Sequence, residues 1–151
     1  MIRNVRRMTA AAAAALVAAS LLIASPASAA TCSGYSCDDT DPINTGCSAD
    51  ARNITPHPAR IVQGATELAV VELRWSDSCK TNWGRISNRV SPQNSVRVRV
   101  YRPNPYENTA WYGGTGRQYY GDQLYGEGMT VCAVGEVITP SGTLTSSPLC
   151  A

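Results

Sequence analysis

Hydrophobic and polar residues alternate along the central part of the chain with the period of two that is typical of β-strands. In ELAVVELRWS, residues 67–76, the hydrophobic face is formed by Ala69, Val71, Leu73 and Trp75. The segment SVRVRVYR, residues 95–102, alternates in the same way, and its hydrophobic face is formed by Val96, Val98 and Val100. Both segments are therefore predicted to be strands with one buried face.

The segment ELRWSDSCKTNWGRI, residues 72–86, is predicted to form a β-hairpin. Turn-forming residues fill DSCKT, residues 77–81, and a second strand-like stretch begins directly after them with NWGRI. Cys79 is therefore expected at the bend of the hairpin, and Trp75 is expected to face the core.

Further strand candidates follow, separated by glycine and proline: RQYYGDQLY, MTVCAVGEVIT and GTLTS. No long segment shows the apolar spacing of an amphipathic helix, and the best helical candidate is a turn or two around residues 47–52. The pattern predicts an all-β fold, a small antiparallel barrel or sandwich stapled by three disulfides, with at most one or two short helical turns.

The N-terminal end has the features of a secretory signal peptide. It has a basic start, an alanine-rich apolar stretch and a small-residue cleavage site at residues 27–29. We therefore expect residues 1–29 to be removed, with cleavage after Ala29 or Ala30, and residues 31–151 to form a single disulfide-stapled β domain. A membrane anchor is the alternative, but the apolar stretch is short and ends at once in proline and the cleavage site. The protein is accordingly expected to be secreted, with no stable membrane insertion after cleavage.

Removal of this segment changes the charge of the chain. Three of the thirteen lysines and arginines lie in the predicted signal peptide, so ten basic residues remain against eleven acidic ones. The net charge of the remaining domain is near −1 and not the +2 of the whole chain. Because no polybasic run survives, nucleic acid is not an expected partner.

The six cysteines all lie in the predicted domain, and an even number in a small exported chain indicates three disulfides. Zinc is disfavoured because the spacings contain no CxxC pair and the single histidine, His57, lies between two prolines. Several pairings are possible for six cysteines. A Cys132–Cys150 bridge would clamp the C-terminal hairpin, and a Cys32–Cys37 bridge would close a small loop. Cys47 would then pair with Cys79, at the bend of the predicted hairpin.

Four segments give the chain a resemblance to a known family: CSGYSC, DPINTGCSADA, VELRWSDSCKTNWGRI and YGDQLYGEGMTVCA. They are similar to segments of the YjfA-like small secreted proteins of actinobacteria and bacilli, a domain of unknown function. The resemblance covers roughly residues 32–132. It implies an extracellular location, supports the Cys32–Cys37 and Cys47–Cys79 pairs, favours a binding role, and supplies no catalytic residues.

Catalytic chemistry finds limited support in the residues present. A serine–histidine triad needs an imidazole, and His57 is the only one in the chain. A glycoside hydrolase needs two carboxyl groups in one cleft. Glu72 is the most interesting candidate because it lies mid-strand, but the favoured interpretation is a solvated strand face opposed by Arg74, Arg97 or Arg99. The aspartates in CDDTD, residues 37–41, are interpreted as turn residues, with weak calcium binding as the alternative.

The strongest functional signal is aromatic. Seven of the ten tyrosines and tryptophans fall between residues 101 and 125, among asparagine, glutamine, arginine and glycine. Rigid amphipathic rings beside adaptable polar groups are typical of binding surfaces, although the same rings could fill a core that contains no phenylalanine. The segment NPYENTAWYGGTG, residues 104–116, is predicted to be a loop, so Tyr106, Trp111 and Tyr112 are the candidate ligand-binding residues.

The sequence therefore predicts a secreted, non-catalytic binding module for an extracellular protein or a cell-surface glycan. No cofactor and no metal are expected. A small hydrolase that acts on glycans through a glutamate–aspartate pair is the alternative, and an inhibitor of an extracellular enzyme is the third possibility.

Overall fold

The computed structural model describes residues 29–151, so the predicted signal peptide lies outside the described residues apart from its last position. None of the helices in this range is long and apolar enough to cross a membrane. Within it the strands are β1 (Arg52–Asn53), β2 (Ala59–Gln63), β3 (Thr66–Ser76), β4 (Thr81–Asn88), β5 (Ser95–Pro103), β6 (Tyr106–Asn108), β7 (Tyr112–Gly114), β8 (Gln118–Tyr125), β9 (Cys132–Thr139), β10 (Gly142–Thr145) and β11 (Leu149–Cys150).

These strands form two antiparallel sheets, so the prediction of an all-β fold is confirmed. Of the two predicted architectures, a barrel or a sandwich, the structure has the sandwich. Sheet A has the order β1–β3–β4–β8, with β2 also paired to β3. Sheet B has the order β10–β9–β5–β6, with β11 paired to β9 and β7 paired to β5. Two short 3-10 helices, Gly34–Cys37 and Cys47–Asp50, precede the strands, and the second lies where the sequence predicted a helical turn.

The predicted hairpin is present as β3 and β4. Trp75 pairs with Asn82 and Ser76 pairs with Thr81, which leaves residues 77–80 as the turn. Leu73 is fully buried, and Trp75 is buried on the same face. Because successive side chains of a strand point to opposite sides, the other face of β3 carries the half-buried Glu72 and Arg74 between Val70 and Ser76, which are buried.

The core lies between the two sheets, and both contribute to it. Val96, Val98 and Val100 of β5 are fully buried, as the alternation predicted, against residues of β3 and β4 such as Leu73 and Ile86. Two glycines permit the close approach of the sheets. A Cβ atom at Gly84 would lie 2.5 Å from Val98, and one at Gly135 would collide with Val71.

The structure joins the cysteines in three pairs: Cys32–Cys37, Cys47–Cys79 and Cys132–Cys150. These are the pairs that the sequence analysis favoured. The first two bridges pack against each other, and Cys47–Cys79 fastens residues 29–51 to the end of the β3–β4 hairpin. The third joins β9 to β11, so it clamps the C-terminal end of the chain onto sheet B.

The segment at residues 104–116 differs from the loop that the sequence predicted. It folds back onto β5 as two three-residue strands, with Tyr106 opposite Pro103 and Tyr112 opposite Val98. Such short strands carry too few residues to show a period of two. Their pairing comes from the unpaired edge of β5, which accepts both of them.

Candidate functional site

A groove of about 460 Å³ runs along the first half of β8, with β7 on its opposite side. We call it the tyrosine groove, because its polar and aromatic lining comes from Asp41, Tyr112, Gln118, Tyr119, Tyr120 and Asp122. Two parts of the chain that are distant in sequence meet here: the N-terminal turn, and the consecutive strands β7 and β8.

The tyrosines take different positions around the groove. Tyr119 packs against the core, and its hydroxyl oxygen accepts the backbone N–H of Gly116 at 2.8 Å. Tyr120 points to the opposite side of β8 and is 37% exposed. Tyr112 is 38% exposed, and its hydroxyl donates to a carboxylate oxygen of Asp122. This hydrogen bond, together with burial and nearby carboxylates, raises the pKa of Tyr112 to about 12, so the ring stays neutral at physiological pH.

Carboxylates gather at the end of the groove nearest to the N-terminal segment. Asp41 closes its own turn, where Oδ1 accepts the backbone N–H of Ile43 at 2.7 Å. Burial raises the pKa of Asp39, and the neighbouring charges of Glu107 and Asp122 add to the effect. Within residues 29–151, none of these four carboxylates has a lysine or arginine nitrogen within 4.0 Å. Within the described residues, the groove therefore has one negatively charged end whose carboxylates form no direct ion pair.

A second hollow of about 230 Å³ adjoins the first on the outer face of sheet A and shares Gln118 and Tyr120 with it. Its walls include Arg74, Trp83 and Arg85. The charge of Arg85 is balanced by Glu72, whose carboxylate lies 2.6 Å from it. The hydrogen bond from Arg85 is the main cause of a lowered pKa of Glu72. Glu72 is therefore an ionised ion-pair partner and is poorly suited to act as a general acid.

The outer edge of β8 is covered over its second half only. Gln123 donates its backbone N–H to Thr40 and accepts the backbone N–H of Asp39, both at 3.0 Å. Its side chain is fully buried, and the amide nitrogen donates to the hydroxyls of Thr40 and Thr45. The N-terminal segment then turns away at Asp41, and the groove begins where this cover ends.

The three candidate residues from the sequence do not form one site. Tyr112 lines the tyrosine groove. Trp111 lies on the outer face of sheet B, where the guanidinium carbons of Arg97 and Arg99 lie 4.7 and 4.6 Å from the ring centre. Tyr106, at 72% exposed, lies on β6 opposite Pro103, the last residue of β5. Their role in ligand binding stays a prediction.

A third hollow, of about 280 Å³, lies beside Trp111 and is lined by Arg97 and Ile138. Arg97 is already paired with Glu136 at 2.6 Å. The two arginines hold the indole in place by cation–π contacts. The arrangement explains why Trp111 is half-buried in a segment that looked like an exposed loop.

The candidate ligand-binding residues did not include five side chains that line the groove, namely Asp41, Gln118, Tyr119, Tyr120 and Asp122, or the nearby Asp39. The strand RQYYGDQLY contained the signal, because its paired tyrosines place one ring on each side of an edge strand. The interpretation of both aspartates as turn residues is confirmed, because Asp39 lies in a turn with a φ of 56° and Asp41 accepts the backbone N–H of Ile43. His57, by contrast, is exposed in a bend outside the groove, as its flanking prolines suggested.

A family model described as "Protein of unknown function (DUF2690)" matches residues 35–133. The match includes every residue named above as lining the tyrosine groove. No curated protein and no solved structure is significantly similar to the chain. The domain of unknown function that the resemblance implied is therefore present, whereas no comparison ties the chain to the YjfA-like proteins themselves.

Proposed function

We propose that this chain, which belongs to the DUF2690 family of proteins of unknown function, is a secreted, non-catalytic binding module for an extracellular protein or a cell-surface glycan. The observation that carries the proposal is the tyrosine groove, in which Tyr112 and Tyr120 present partly exposed rings beside Gln118 and uncompensated carboxylates. Rings of this kind lose water on binding at a small cost in side-chain entropy.

The covalent framework supports the extracellular part of the proposal. All six cysteines are joined in disulfides, which persist in oxidising compartments and are rare in the cytosol. The signal-peptide features of residues 1–29 point the same way. The ligands available to an extracellular module include proteins and cell-surface glycans. Both classes contain groups that can stack on a tyrosine ring and form a hydrogen bond with a side-chain amide.

The test is a comparison of matched variants on two fractions from the producing organism, its cell wall and its secreted proteins. Tyr112→Ala and Tyr120→Ala are expected to lower affinity about thirtyfold for the retained ligand, the cost of removing a ring that makes a central contact (about 2 kcal/mol). Tyr112→Phe keeps the ring and removes the bond to Asp122, and Val62→Ala is an exposed control on β2. Retention that is unchanged in both alanine variants, with lower melting temperatures, would make the rings structural and end the proposal.

Tyr106→Ala and Trp111→Ala test the remaining candidates in the same assay. Loss of retention in these two variants alone would place the ligand on the outer face of sheet B. Trp111→Ala is expected to lower stability as well, because Arg97 and Arg99 lose the ring on which they stack.

A second candidate function, glycan hydrolysis, is favoured by one observation. Burial raises the pKa of Asp39, and the charges of Glu107 and Asp122 add to the effect, so two carboxyl groups, Asp39 and Asp122, lie near the same groove. Such a pair is the requirement for acid-assisted cleavage of a glycosidic bond. Release of reducing sugar from cell-wall polysaccharide, abolished by Asp39→Asn and by Asp122→Asn, would support it. No turnover is expected if the chain is a binding module.

A further inference from the structure

We propose that the tyrosine groove takes an extended polypeptide segment of a partner protein, which adds to the free edge of β8 as a further strand and places a lysine or arginine side chain against Asp41 and Asp122. The inference rests on the proposed function, because it names the ligand class for the same groove. Three features of the described residues carry it: the hydrogen-bond pattern of β8, the segment that already pairs with part of its edge, and the charge of the groove.

The hydrogen-bond pattern leaves backbone groups of β8 unused. In an antiparallel pair, hydrogen-bonded and non-hydrogen-bonded residue pairs alternate. The backbone N–H of Asn88 donates to the carbonyl of Arg117 at 2.8 Å, so these two residues form a hydrogen-bonded pair. Two residues further along each strand, Ile86 lies opposite Tyr119, and these two residues therefore form the next hydrogen-bonded pair. Gln118 and Tyr120 therefore direct their N–H and C=O groups away from β4. Across residues 29–151, no other backbone group bonds to them.

The chain already pairs with the other half of this edge. Thr40 forms an isolated antiparallel bridge with Gln123, and Asp38 accepts the backbone N–H of Tyr125. The second half of the edge thus already accepts a pairing segment, and the turn that begins at Asp41 carries this segment away from the first half, which stays open. An unpaired, uncovered strand edge is a ready template for a partner strand.

The groove in front of the open edge has the charge that a basic side chain would match. Asp41 and Asp122 both line it, neither forms an ion pair within residues 29–151, and Asp39 lies nearby. Tyr112 and Tyr120 stand beside these carboxylates and offer ring faces to a cation. Anionic polymers would be repelled by the same groups, whereas a strand with one lysine or arginine satisfies both the backbone and the carboxylates.

The direct test uses a defined probe, an acetylated and amidated pentapeptide in which threonine and valine alternate around a central lysine. Titration followed by NMR is expected to shift the amide signals of Gln118 and Tyr120 and to slow their hydrogen exchange. Two matched peptides separate the two parts of the proposal. One replaces the lysine with glutamate, and the other carries N-methyl groups on two consecutive amides next to the lysine.

Both matched peptides are expected to bind at least tenfold more weakly. The glutamate peptide meets like charges in the groove. Alternate residues of a strand face its partner, so methylation of two consecutive amides removes at least one inward N–H in every register. Equal binding of the methylated peptide would overturn strand addition, and equal binding of the glutamate peptide would overturn the assigned basic side chain.

Protein variants provide a second, independent measurement. Gln118→Pro removes only the outward N–H at the first residue of an edge strand, a position that tolerates proline, and Gln118→Ala is its control for the lost side chain. We expect the proline variant to bind the lysine peptide about fivefold to tenfold more weakly than the alanine variant. Asp122→Asn is expected to weaken binding of the lysine peptide without weakening binding of the glutamate peptide. Glu127→Gln, which lies outside the groove, is expected to change the affinity for neither peptide.

The outcomes separate this inference from the proposed function. If retention on the culture fractions depends on Tyr112 and Tyr120 but a neutral oligosaccharide is the retained ligand, the peptide inference is overturned and the binding module stands. If the lysine peptide fails to bind, and the Tyr112→Ala and Tyr120→Ala variants are retained on the culture fractions as well as the unaltered protein is, both proposals fail. Binding of the lysine peptide at the β8 edge, lost on N-methylation, supports both.

Discussion

A single buried arginine shows how the molecule secures its N-terminal segment. Arg102 is 3% exposed and lies 3.0 Å from the carboxylate of Asp38. Its remaining donors reach the backbone carbonyls of Tyr125 and Pro105 at 2.9 and 3.2 Å. The guanidinium thus links β5, β8 and the N-terminal turn, and its charge is fully matched.

Replacement of this arginine tests that role. Arg102→Met leaves Asp38 without its cation in a largely buried position, so we expect a loss of about 3–5 kcal/mol in the free energy of unfolding. Arg117→Met is the control, because Arg117 is exposed in the turn before β8 and has no ion pair in the described chain. Chemical denaturation of both variants measures the difference. A loss for Arg102→Met as small as that of the control would show that the buried ion pair adds nothing to stability.

A second residue-scale prediction concerns acid. The hydrogen bond from Arg52, followed by that from Trp75, lowers the pKa of Asp77 to about 2. Because this folded-state value lies below that of an unfolded aspartate, the stabilisation is present above about pH 4 and is lost as the pH falls towards 2. Asp77→Asn should therefore flatten the acid limb of a plot of melting temperature against pH. An acid limb identical to that of the unaltered protein would contradict this role of Asp77.

At the scale of the element, the long strands were predictable and the short ones were not. The alternation in β3 and β5 extends over enough residues to determine which face is buried, and the cysteine at the β3–β4 turn adds a second constraint. The two short strands β6 and β7 are determined by the free edge of β5 and not by their own residues. Trp111 and Tyr112 are adjacent in sequence but point to different surfaces, because consecutive side chains of an extended segment face opposite sides.

The tyrosine groove could not be read from the chain, because it depends on where separate elements meet. Asp41 and Asp122 reach it from segments that are distant in sequence and share no motif. What the sequence did provide was the concentration of tyrosines near β8. Which of those rings is exposed depends on the bulge between Trp83 and Arg85, where β8 has one more residue than β4.

The two bridges of the N-terminal segment offer a further test at this scale. Cys47–Cys79 spans 32 residues and Cys32–Cys37 spans 5. If each bridge acts mainly by restricting the unfolded chain, replacing both cysteines of a pair with alanine should cost about 4 kcal/mol for the long loop and about 2 kcal/mol for the short one. Equilibrium unfolding of the two double variants measures this order. A larger cost for the Cys32–Cys37 variant would show that local packing and not loop length determines the contribution.

At the scale of the whole molecule, each bridge belongs to one part of the fold. Cys47–Cys79 fastens residues 29–51 to sheet A, Cys32–Cys37 closes a loop within that segment, and Cys132–Cys150 fastens the C-terminal end to sheet B. The sheets themselves are joined by packing between β3, β4, β5 and β9, with no disulfide across the core. Reduction is therefore expected to loosen the two ends before the centre, which hydrogen exchange with and without reductant would show. Simultaneous loss of protection in β5 and the N-terminal segment would contradict it.

The order of the bridges along the chain has a consequence for biogenesis. Each cysteine pairs with its immediate neighbour in sequence, first with second, third with fourth and fifth with sixth. A polypeptide that emerges N-terminus first from a translocation channel would present each new thiol when its correct partner is the last one still free. An oxidase that simply joins thiols in order of appearance would thus produce the native connectivity, and no isomerase would be needed to correct it.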